Sequence, residues 1–210
     1  ASMQRYPGVH LACFGTPDAE GEYRRLANHG FGPSPIVNLQ RETAERKIAK
    51  FQVVLAAPEQ MPEGRIQFVR HHTPEVLWRP RHLDHANDVV KLACAFVVAD
   101  DPVAAAARWA RFAALLPRPA GGFVHLPSGR GHVLIGRRES WTALLGDAPA
   151  APALAGCALE CRDPAILIAR CKRLGLALRK LRQNLYAVPL PEALGGAWVF
   201  GTRQGLGLPA

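Results

Sequence analysis

The sequence predicts an α+β protein built from three βαβββ units, and three observations lead to this fold class. An apolar strand-like run occurs three times, at residues 8–15, 92–99 and 156–161. Each run is followed by a proline beside an aspartate, which is typical of a helix start, and then by a helical segment. Strand candidates follow every helix. Because one such unit would expose an apolar sheet face, we expect the units to pack together.

The first unit covers residues 5–88, including a crossover that leads into the second unit. Thr16 is an N-cap candidate and Pro17 suits the first helical turn. Apolar residues at helical spacing predict a helix over residues 18–29, with Gly30 as its cap. The predicted strands that follow are residues 36–40, 48–56 and 65–70.

The second unit covers residues 89–146, and an Ala/Pro-rich linker at residues 147–153 separates it from the third unit, residues 154–206. The second unit has a predicted helix at 103–116, strands at 122–126 and 132–136, and either a strand or a short helix at 140–144. The third unit has a predicted helix at 165–174, followed by strands at 185–188 and 197–200.

Composition limits the class of protein. Hydrophobic residues make up 49% of the 210-residue chain and charged residues 20%, as in globular domains. No apolar run reaches the roughly 18 residues that span a membrane. Ala1 and Ser2 before Met3 resemble a cloning remnant, so we expect the natural start at Met3 or upstream. Five cysteines without a CxxC pair predict buried free thiols and a cytoplasmic location.

The net charge of +9 permits anionic partners. Basic residues are spread along the chain, and only residues 170–182 form a dense cluster. No aromatic residues are interleaved there for base stacking, so we interpret the cluster as a solvated helix face. Nucleic acid is therefore not the expected partner. A small anionic molecule is.

The residues that open the first unit, GVHLACFGTPDAEGEYRRLANHGF, resemble the module start of the vicinal-oxygen-chelate superfamily. That superfamily includes glyoxalase I, extradiol dioxygenases and bleomycin-resistance proteins. Residues 64–87, GRIQFVRHHTPEVLWRPRHLDHAN, followed by LACAFVVADDP, resemble more narrowly the bacterial glyoxalase-like domain group. The resemblance covers essentially the whole chain and implies βαβββ modules paired into glyoxalase-like half-barrels.

The resemblance also implies a metal site. In the superfamily, a His or Gln on the first strand and a Glu on the last strand of each module hold a divalent ion that acts as a Lewis acid. By this resemblance His10 and Gln67 are the candidate ligands for one divalent ion (Zn, Fe, Mn or Ni). The matching positions in the other units lie near Cys94, Leu134, Gly156 and Trp198, which are poor ligands for a hard ion.

One histidine and one glutamine make an incomplete site, and three units leave one unit unpaired. Either a further module lies N-terminal to this sequence and carries the ligands, or the third unit pairs across a homodimer. The alternative is a protein with no metal.

The crossover supplies candidates for catalysis and binding. His72, oriented by Glu75, is the acid/base candidate, while Arg70 and Trp78 are candidates for ligand binding. His71 and His72 are consecutive on a strand, so they point to opposite faces and at most one enters a given pocket. A structural role, hydrogen bonding to the exposed backbone of the crossover, is the alternative.

Two further histidine pairs have suitable spacing. His82 and His85 in HLDH are metal-compatible at i,i+3, or they belong to a polar crossover packed by Trp78. His125 and His132 lie on adjacent strands of a predicted hairpin and could face each other.

The resemblance implies a metal-dependent enzyme of lyase, isomerase or dioxygenase type acting on a small oxygenated, anionic metabolite. The alternative is a non-catalytic protein of the bleomycin-resistance type, which sequesters a ligand in the same concavity. A third possibility, nucleic-acid binding, depends on net charge alone.

Overall fold

The computed structural model describes residues 6–207, and its elements follow the order βαβββ three times. The predicted α+β class and the repeated βαβββ order are confirmed. The predicted start at Met3 and the first residue of the predicted first unit, residue 5, lie outside the described residues. The unit boundaries themselves stay a prediction, although β9 begins at Ala153, the last residue of the predicted linker.

Unit one comprises β1 (Leu11–Gly15), α1 (Ala19–Asn28), β2 (Val37–Glu42), β3 (Ile48–Leu55) and β4 (Arg65–His71). The crossover contains two single-turn helices, α2 (Pro74–Leu77) and α3 (Pro80–Leu83). Pro74 and Pro80 each stand at a first helical position, where the missing N–H costs nothing.

Unit two comprises β5 (Val89–Val98), α4 (Pro102–Ala113), β6 (Arg118–Ala120), β7 (Phe123–Pro127) and β8 (His132–Gly136), followed by α5 (Arg138–Leu145). Unit three comprises β9 (Ala153–Cys161), α6 (Pro164–Arg173), β10 (Arg179–Arg182), β11 (Leu185–Pro189), β12 (Ala197–Gly201) and the terminal turn α7 (Arg203–Leu206). The segment predicted as a strand or short helix at 140–144 is helical.

The principal helix of each unit begins at an aspartate whose carboxylate accepts hydrogen bonds from the backbone N–H groups of the first turn. In α1 this N-cap is Asp18, so the prediction of Thr16 was wrong by two residues. Helix α4 ends at Ala113, three residues before the predicted end, because Ala114 adopts a left-handed conformation.

Units two and three share one eight-stranded sheet of order β10-β11-β12-β9-β5-β8-β7-β6. Strands β5 and β9 join the units in antiparallel pairing, with Cys94 opposite Ala158 and Phe96 opposite Gly156. The expectation that unit three pairs across a homodimer was therefore wrong, because its first strand already pairs within the chain. Unit one forms a separate sheet of order β1-β4-β3-β2, with β1 at its edge.

Unit one packs its helix-bearing face against α4. Phe112 lies 5.1 Å from Phe68 and 5.4 Å from Phe31 between ring centroids, and Phe14 lies 6.3 Å from Trp109. The other side of α4 covers the outer face of the large sheet, so one core joins all these layers. This packing leaves the inner face of the large sheet free for a cavity.

The basic run at 170–182 does not form a single helix face. Its first residues end α6, Gly175 turns the chain with φ of +63°, and Arg179–Arg182 form strand β10 at the edge of the large sheet. Among the described residues, no helix has the length and apolar character needed to cross a membrane.

Candidate functional site

The inner face of the large sheet encloses a cavity of about 520 Å³ between units two and three. This volume is within the usual range for small-molecule sites. Strands, a β-turn, helix α5 and the C-terminal turn supply the walls: Cys94, Phe96, Ala120, Gly121, Phe123, His125, His132, Leu134, Leu144, Ala158, Leu181, Arg182, Leu185, Val199, Leu206 and Gly207.

Strand alternation determines which side chains reach the cavity. On β5, Cys94 and Phe96 point inward, whereas Val97 packs in the outer core with α4. Helix α5 closes the inner core beside the cavity through Trp141, whose Nε1 donates a 2.7 Å hydrogen bond to the Val97 carbonyl. The Trp141 ring lies 4.7 Å from both Phe96 and Phe123, so this part of the wall is rigidly packed.

The β7–β8 hairpin places His125 and His132 side by side in the wall. His125 Nε2 lies 2.9 Å from His132 Nδ1, so one imidazole donates a hydrogen bond to the other. The hairpin turn fixes this arrangement because Ser128 Oγ donates to the Gly131 carbonyl at 2.8 Å and accepts from the Gly131 N–H at 3.1 Å. The sequence prediction that these two histidines face each other agrees with this geometry.

Burial lowers the pKa of both histidines below its ordinary value. Arg118 lowers the pKa of His125 further, while the neighbouring His125 and then Lys91 do so for His132. The pair is therefore predominantly neutral at pH 7. Among the described residues that line the cavity there is no carboxylate, and Arg182 adds a further positive charge.

The residues at the centre of the cavity do not fit the metal that the fold family implies. The first and last strands of units two and three meet at Cys94, His132, Ala158 and Val199. Burial raises the pKa of the Cys94 thiol to about 12, so it is protonated at neutral pH and is a poor ligand. Within residues 6–207, no three His, Cys, Asp or Glu side chains group as a metal site would require.

Two of the matching positions expected from the resemblance were misplaced. Trp198 is 44% exposed on the outer side of β12, and its neighbour Val199 lines the cavity instead. Gly156 lies opposite Phe96 and contributes no side chain, and it is Ala158 that reaches the cavity.

The structure does not bring His10 and Gln67 together in unit one. Gln67 lies opposite Cys13 in the β1–β4 pairing and donates its side-chain amide to Cys13 Sγ at 3.2 Å. Strand alternation places His10 on the other face, where its ring lies 4.6 Å from Tyr6 and both its nitrogens are buried without a hydrogen-bond partner. Their role as metal ligands stays a prediction.

The structure does not bring the candidate residues of the crossover together in one site either. His72 and Glu75 are exposed, and His71 instead packs against Phe51 with ring centroids 5.1 Å apart. Arg70 forms an ion pair with Glu20 at 3.5 Å on the helix-bearing face of the sheet, whereas Trp78 is 61% exposed near His71 on the opposite face. The catalytic and ligand-binding roles of these four candidates, His72, Glu75, Arg70 and Trp78, stay predictions.

The remaining sequence candidates stand apart from the cavity. His82 and His85 are exposed, and His82 Nδ1 lies 3.2 Å from the Leu77 carbonyl. All five cysteines are free, as expected. Cys13 is exposed rather than buried, and Gln67 donates to its sulfur.

Sequence reasoning missed Arg182 and Val199 as cavity residues. Arg182 belongs to the basic run that the sequence analysis interpreted as a helix face. Gly175 could have indicated that the helix ends before this residue. Val199 reaches the cavity only because units two and three share a sheet, which depends on long-range pairing.

The comparisons with known proteins agree with this architecture. The model of the glyoxalase-like domain family matches residues 1–113, more than half of the chain. A search of curated proteins finds no match.

Solved structures share the fold at low sequence identity. A hypothetical protein from Staphylococcus aureus aligns with a TM-score of 0.61 at 10% identity, over 90% of this chain and 64% of its own length. A catechol 2,3-dioxygenase aligns at 0.55 and 12% identity, over 94% of this chain and 73% of its own. A fusion of a xylose isomerase-like TIM barrel with a 4-hydroxyphenylpyruvate dioxygenase aligns at 0.58 and 9%, over 94% and 38%.

Similarity at these identities shows the fold alone. The chain spans less than two thirds of the Staphylococcus protein. Together with the match over residues 1–113, the paired βαβββ units lead to one conclusion: the chain belongs to the glyoxalase-like domain family of the vicinal-oxygen-chelate superfamily.

Proposed function

We propose that the protein binds a small organic molecule in the cavity of the large sheet without a resident metal ion, as a ligand-sequestering protein. The observation that carries this proposal is the lining itself, in which an apolar wall surrounds one pair of neutral, hydrogen-bonded histidines. Ligand pockets are commonly apolar with a few convergent polar groups that orient the ligand.

The chemistry of the wall favours this function over a metal-dependent lyase, isomerase or dioxygenase. Catalytic zinc sites use three protein ligands and leave one position open for the Lewis-acid step, and hard ions such as magnesium are held by carboxylates. The central inward positions supply one imidazole, one protonated thiol and two aliphatic side chains.

The test combines metal content with binding. Protein purified without chelator or affinity tag is measured by elemental mass spectrometry, and a fragment library is screened by NMR. We expect no stoichiometric metal and fragment-induced shifts in Phe96, Leu134 and Val199. The variant Ala158→Phe fills the cavity and should abolish these shifts, whereas Ala104→Phe, on the exposed side of α4, should leave them unchanged.

About one tightly held divalent ion per chain would overturn the proposal and favour the hypothesis of a metal-dependent enzyme. In that case His10→Ala, Gln67→Ala and His132→Ala locate the ion, because loss of metal from one variant assigns it to unit one or to the cavity. Activity of His72→Ala and Glu75→Ala would then test the acid/base prediction.

We also propose that two copies of the chain pair along β1. In unit one, the His10 carbonyl and the Thr16 N–H bond to β4, so alternate backbone groups of Leu11–Gly15 point to the other edge. No strand of the described chain pairs with this edge of β1, although Val9 just before it forms an isolated bridge with Leu154. Leu11 is 48% exposed on the inner face of this sheet. The equivalent strands β5 and β9 pair antiparallel within the chain, which is the arrangement a second copy would repeat.

A proline at the middle of β1 tests this pairing. Cys13→Pro removes an N–H that points to the open edge, while Cys13→Ala keeps it. Light scattering after size exclusion should give a dimer for the parent protein and Cys13→Ala, and a monomer for Cys13→Pro. A parent protein that stays monomeric at about 100 μM would exclude this dimer, because a dimer more stable than about 5.5 kcal/mol would form at that concentration.

The cytoplasm is the location we propose. All five cysteines are free thiols, and Cys13 is exposed, which suits a reducing compartment.

A further inference from the structure

The histidine pair indicates which class of molecule the cavity takes. Each ring uses one nitrogen for the contact between the two rings, His125 Nε2 and His132 Nδ1. Among the described residues, the remaining nitrogens, His125 Nδ1 and His132 Nε2, have no hydrogen-bond partner. Because the two rings line the cavity, these nitrogens are available to a bound molecule.

The charged side chains that act on the pair are positive, and Glu160 on the neighbouring strand β9 stands opposite Lys91, outside the residues that line the cavity. Lys91 on β5 and Arg118 on β6 act electrostatically on the two rings, Arg182 on β10 lines the cavity, and the Cys94 thiol is uncharged. No carboxylate lines the cavity within the described chain to neutralise an imidazolium. A protonated pair therefore has no counter-ion until a ligand brings one.

The rest of the cavity wall is apolar and suits the hydrocarbon part of a ligand. Phe96, Leu134 and Val199 face the centre of the cavity from β5, β8 and β12. An apolar body placed there would direct its polar end toward β7 and β8, where the histidines lie.

From this arrangement, and resting on the binding function proposed above, we infer that the cavity selects a small weak organic acid with an apolar body. Its carboxylate oxygen contacts the His125–His132 pair, which takes up one proton from solvent as the anion binds. The ligand enters as an anion, the proton binds a ring nitrogen, and the complex holds an imidazolium beside the anionic oxygen. No bond within the ligand changes.

The coupling between ligand binding and proton uptake predicts the direction in which affinity changes with pH. The free pair is predominantly neutral at pH 7, because burial and the nearby cations lower its pKa. A bound anion favours the charged form of the pair and raises its pKa. Binding is then accompanied by proton uptake, so affinity should rise as the pH falls from 8 to 6, by up to about tenfold per pH unit.

Benzoate and benzyl alcohol are matched probes for this inference, since they share a ring and differ in charge. Calorimetric titration of benzoate at pH 7 in buffers of different ionisation enthalpy measures the proton uptake directly. We expect uptake approaching one proton per chain for benzoate and none for benzyl alcohol. Imidazole NMR signals of both histidines should titrate at higher pH with benzoate bound.

Substitutions of the two histidines test whether the pH dependence of benzoate affinity comes from this pair. His125→Asn and His132→Gln should each remove most of the pH dependence of benzoate affinity, and His29→Asn, at the exposed end of α1, is the control. If either variant fails to fold, the calorimetry on the parent protein still decides, since it needs no substitution.

The outcomes separate this inference from the proposed function. Benzyl alcohol binding as well as or better than benzoate, or benzoate binding without proton uptake, would overturn the inference and leave the binding function intact. If neither these probes nor any fragment of the library shifts the cavity residues, the binding function itself fails.

Discussion

Replacing Arg108 with methionine tests how unit one is held to unit two. Arg108 on α4 donates from Nη2 to Glu63 Oε1, and Glu63 stands in the turn just before β4. The Glu63 side chain is 0% exposed and that of Arg108 is 26% exposed. Glu63 Oε2 has no hydrogen-bond partner, so the carboxylate depends on Arg108.

The expected cost follows from this burial. Removing one partner of a fully buried ion pair costs about 3–5 kcal/mol, because the remaining charge is left without compensation. Arg108 is partly exposed, so water reaches its side of the pair, and we expect the free energy of unfolding of Arg108→Met to fall by about 2–4 kcal/mol. Methionine keeps most of the aliphatic stem, so lost packing contributes little.

Urea unfolding followed by circular dichroism measures the effect. Arg111→Met, one turn along the same helix and exposed, should change stability by less than about 0.5 kcal/mol. The double variant Glu63→Gln/Arg108→Met should recover much of the loss, because a neutral amide replaces the isolated carboxylate. An Arg108→Met protein as stable as the Arg111→Met control would refute this account of the junction between the units.

Three further predictions concern the elements that shape the cavity. Asp101→Ala removes the N-cap of α4, which accepts from two backbone N–H groups at 3.0 Å, and should cost about 1 kcal/mol in thermal or urea unfolding, with Asp100→Ala neutral. Gly156→Ala should destabilise by roughly 3 kcal/mol or prevent folding, because its φ is +130° and a Cβ would lie 1.9 Å from the Ala197 carbonyl oxygen. The lowered pKa of the histidine pair means that the unfolded chain binds protons more readily, so the free energy of unfolding should fall as the pH drops below about 6.5. Replacing both histidines by Asn should flatten this decline, and an unchanged pH profile would contradict it.

The fold was predictable from the sequence wherever neighbouring residues alone determine the local structure. The helix starts at Asp101 and Asp163 were predicted because an aspartate beside a proline satisfies the first turn through its own side chain. The strand Arg179–Arg182 was missed because three of its four residues are basic, so it lacks the alternation of apolar and polar residues that predicts a strand.

The arrangement of the units was not predictable from local signals. Which first strand pairs with which depends on contacts far apart in the sequence, and the rest of unit two and the linker separate β5 from β9. The strand patterns predict that apolar faces exist, but they do not predict which unit covers which face. The prediction that unit three pairs across a dimer was wrong for this reason.

The candidate site was predictable in one part. A tight turn between two short strands predicts that His125 and His132 face each other, and the hairpin brings them to 2.9 Å. Their position in a cavity was not predictable, because the opposite wall comes from unit three. The resemblance directed attention to His10 and Gln67 instead, since a histidine on the first strand of a module is the family pattern, and the face on which a residue lies depends on register.

The two halves of the cavity are related in backbone and unlike in chemistry. Cys94 pairs with Ala158 across the junction of the units, and the strands next to them carry His132 in unit two and Val199 in unit three at matching positions. A site that holds a metal symmetrically needs ligands from both halves, whereas this cavity has its imidazoles in unit two, and unit three contributes aliphatic side chains and Arg182. Such an asymmetric wall gives a bound molecule a preferred orientation, with its polar end at β7 and β8 and its apolar end against β12. The paired units determine the shape of the cavity, and a few side chains on the β7–β8 hairpin determine which ligand it recognises. Substitution of the histidine pair should therefore change ligand preference while the fold is retained.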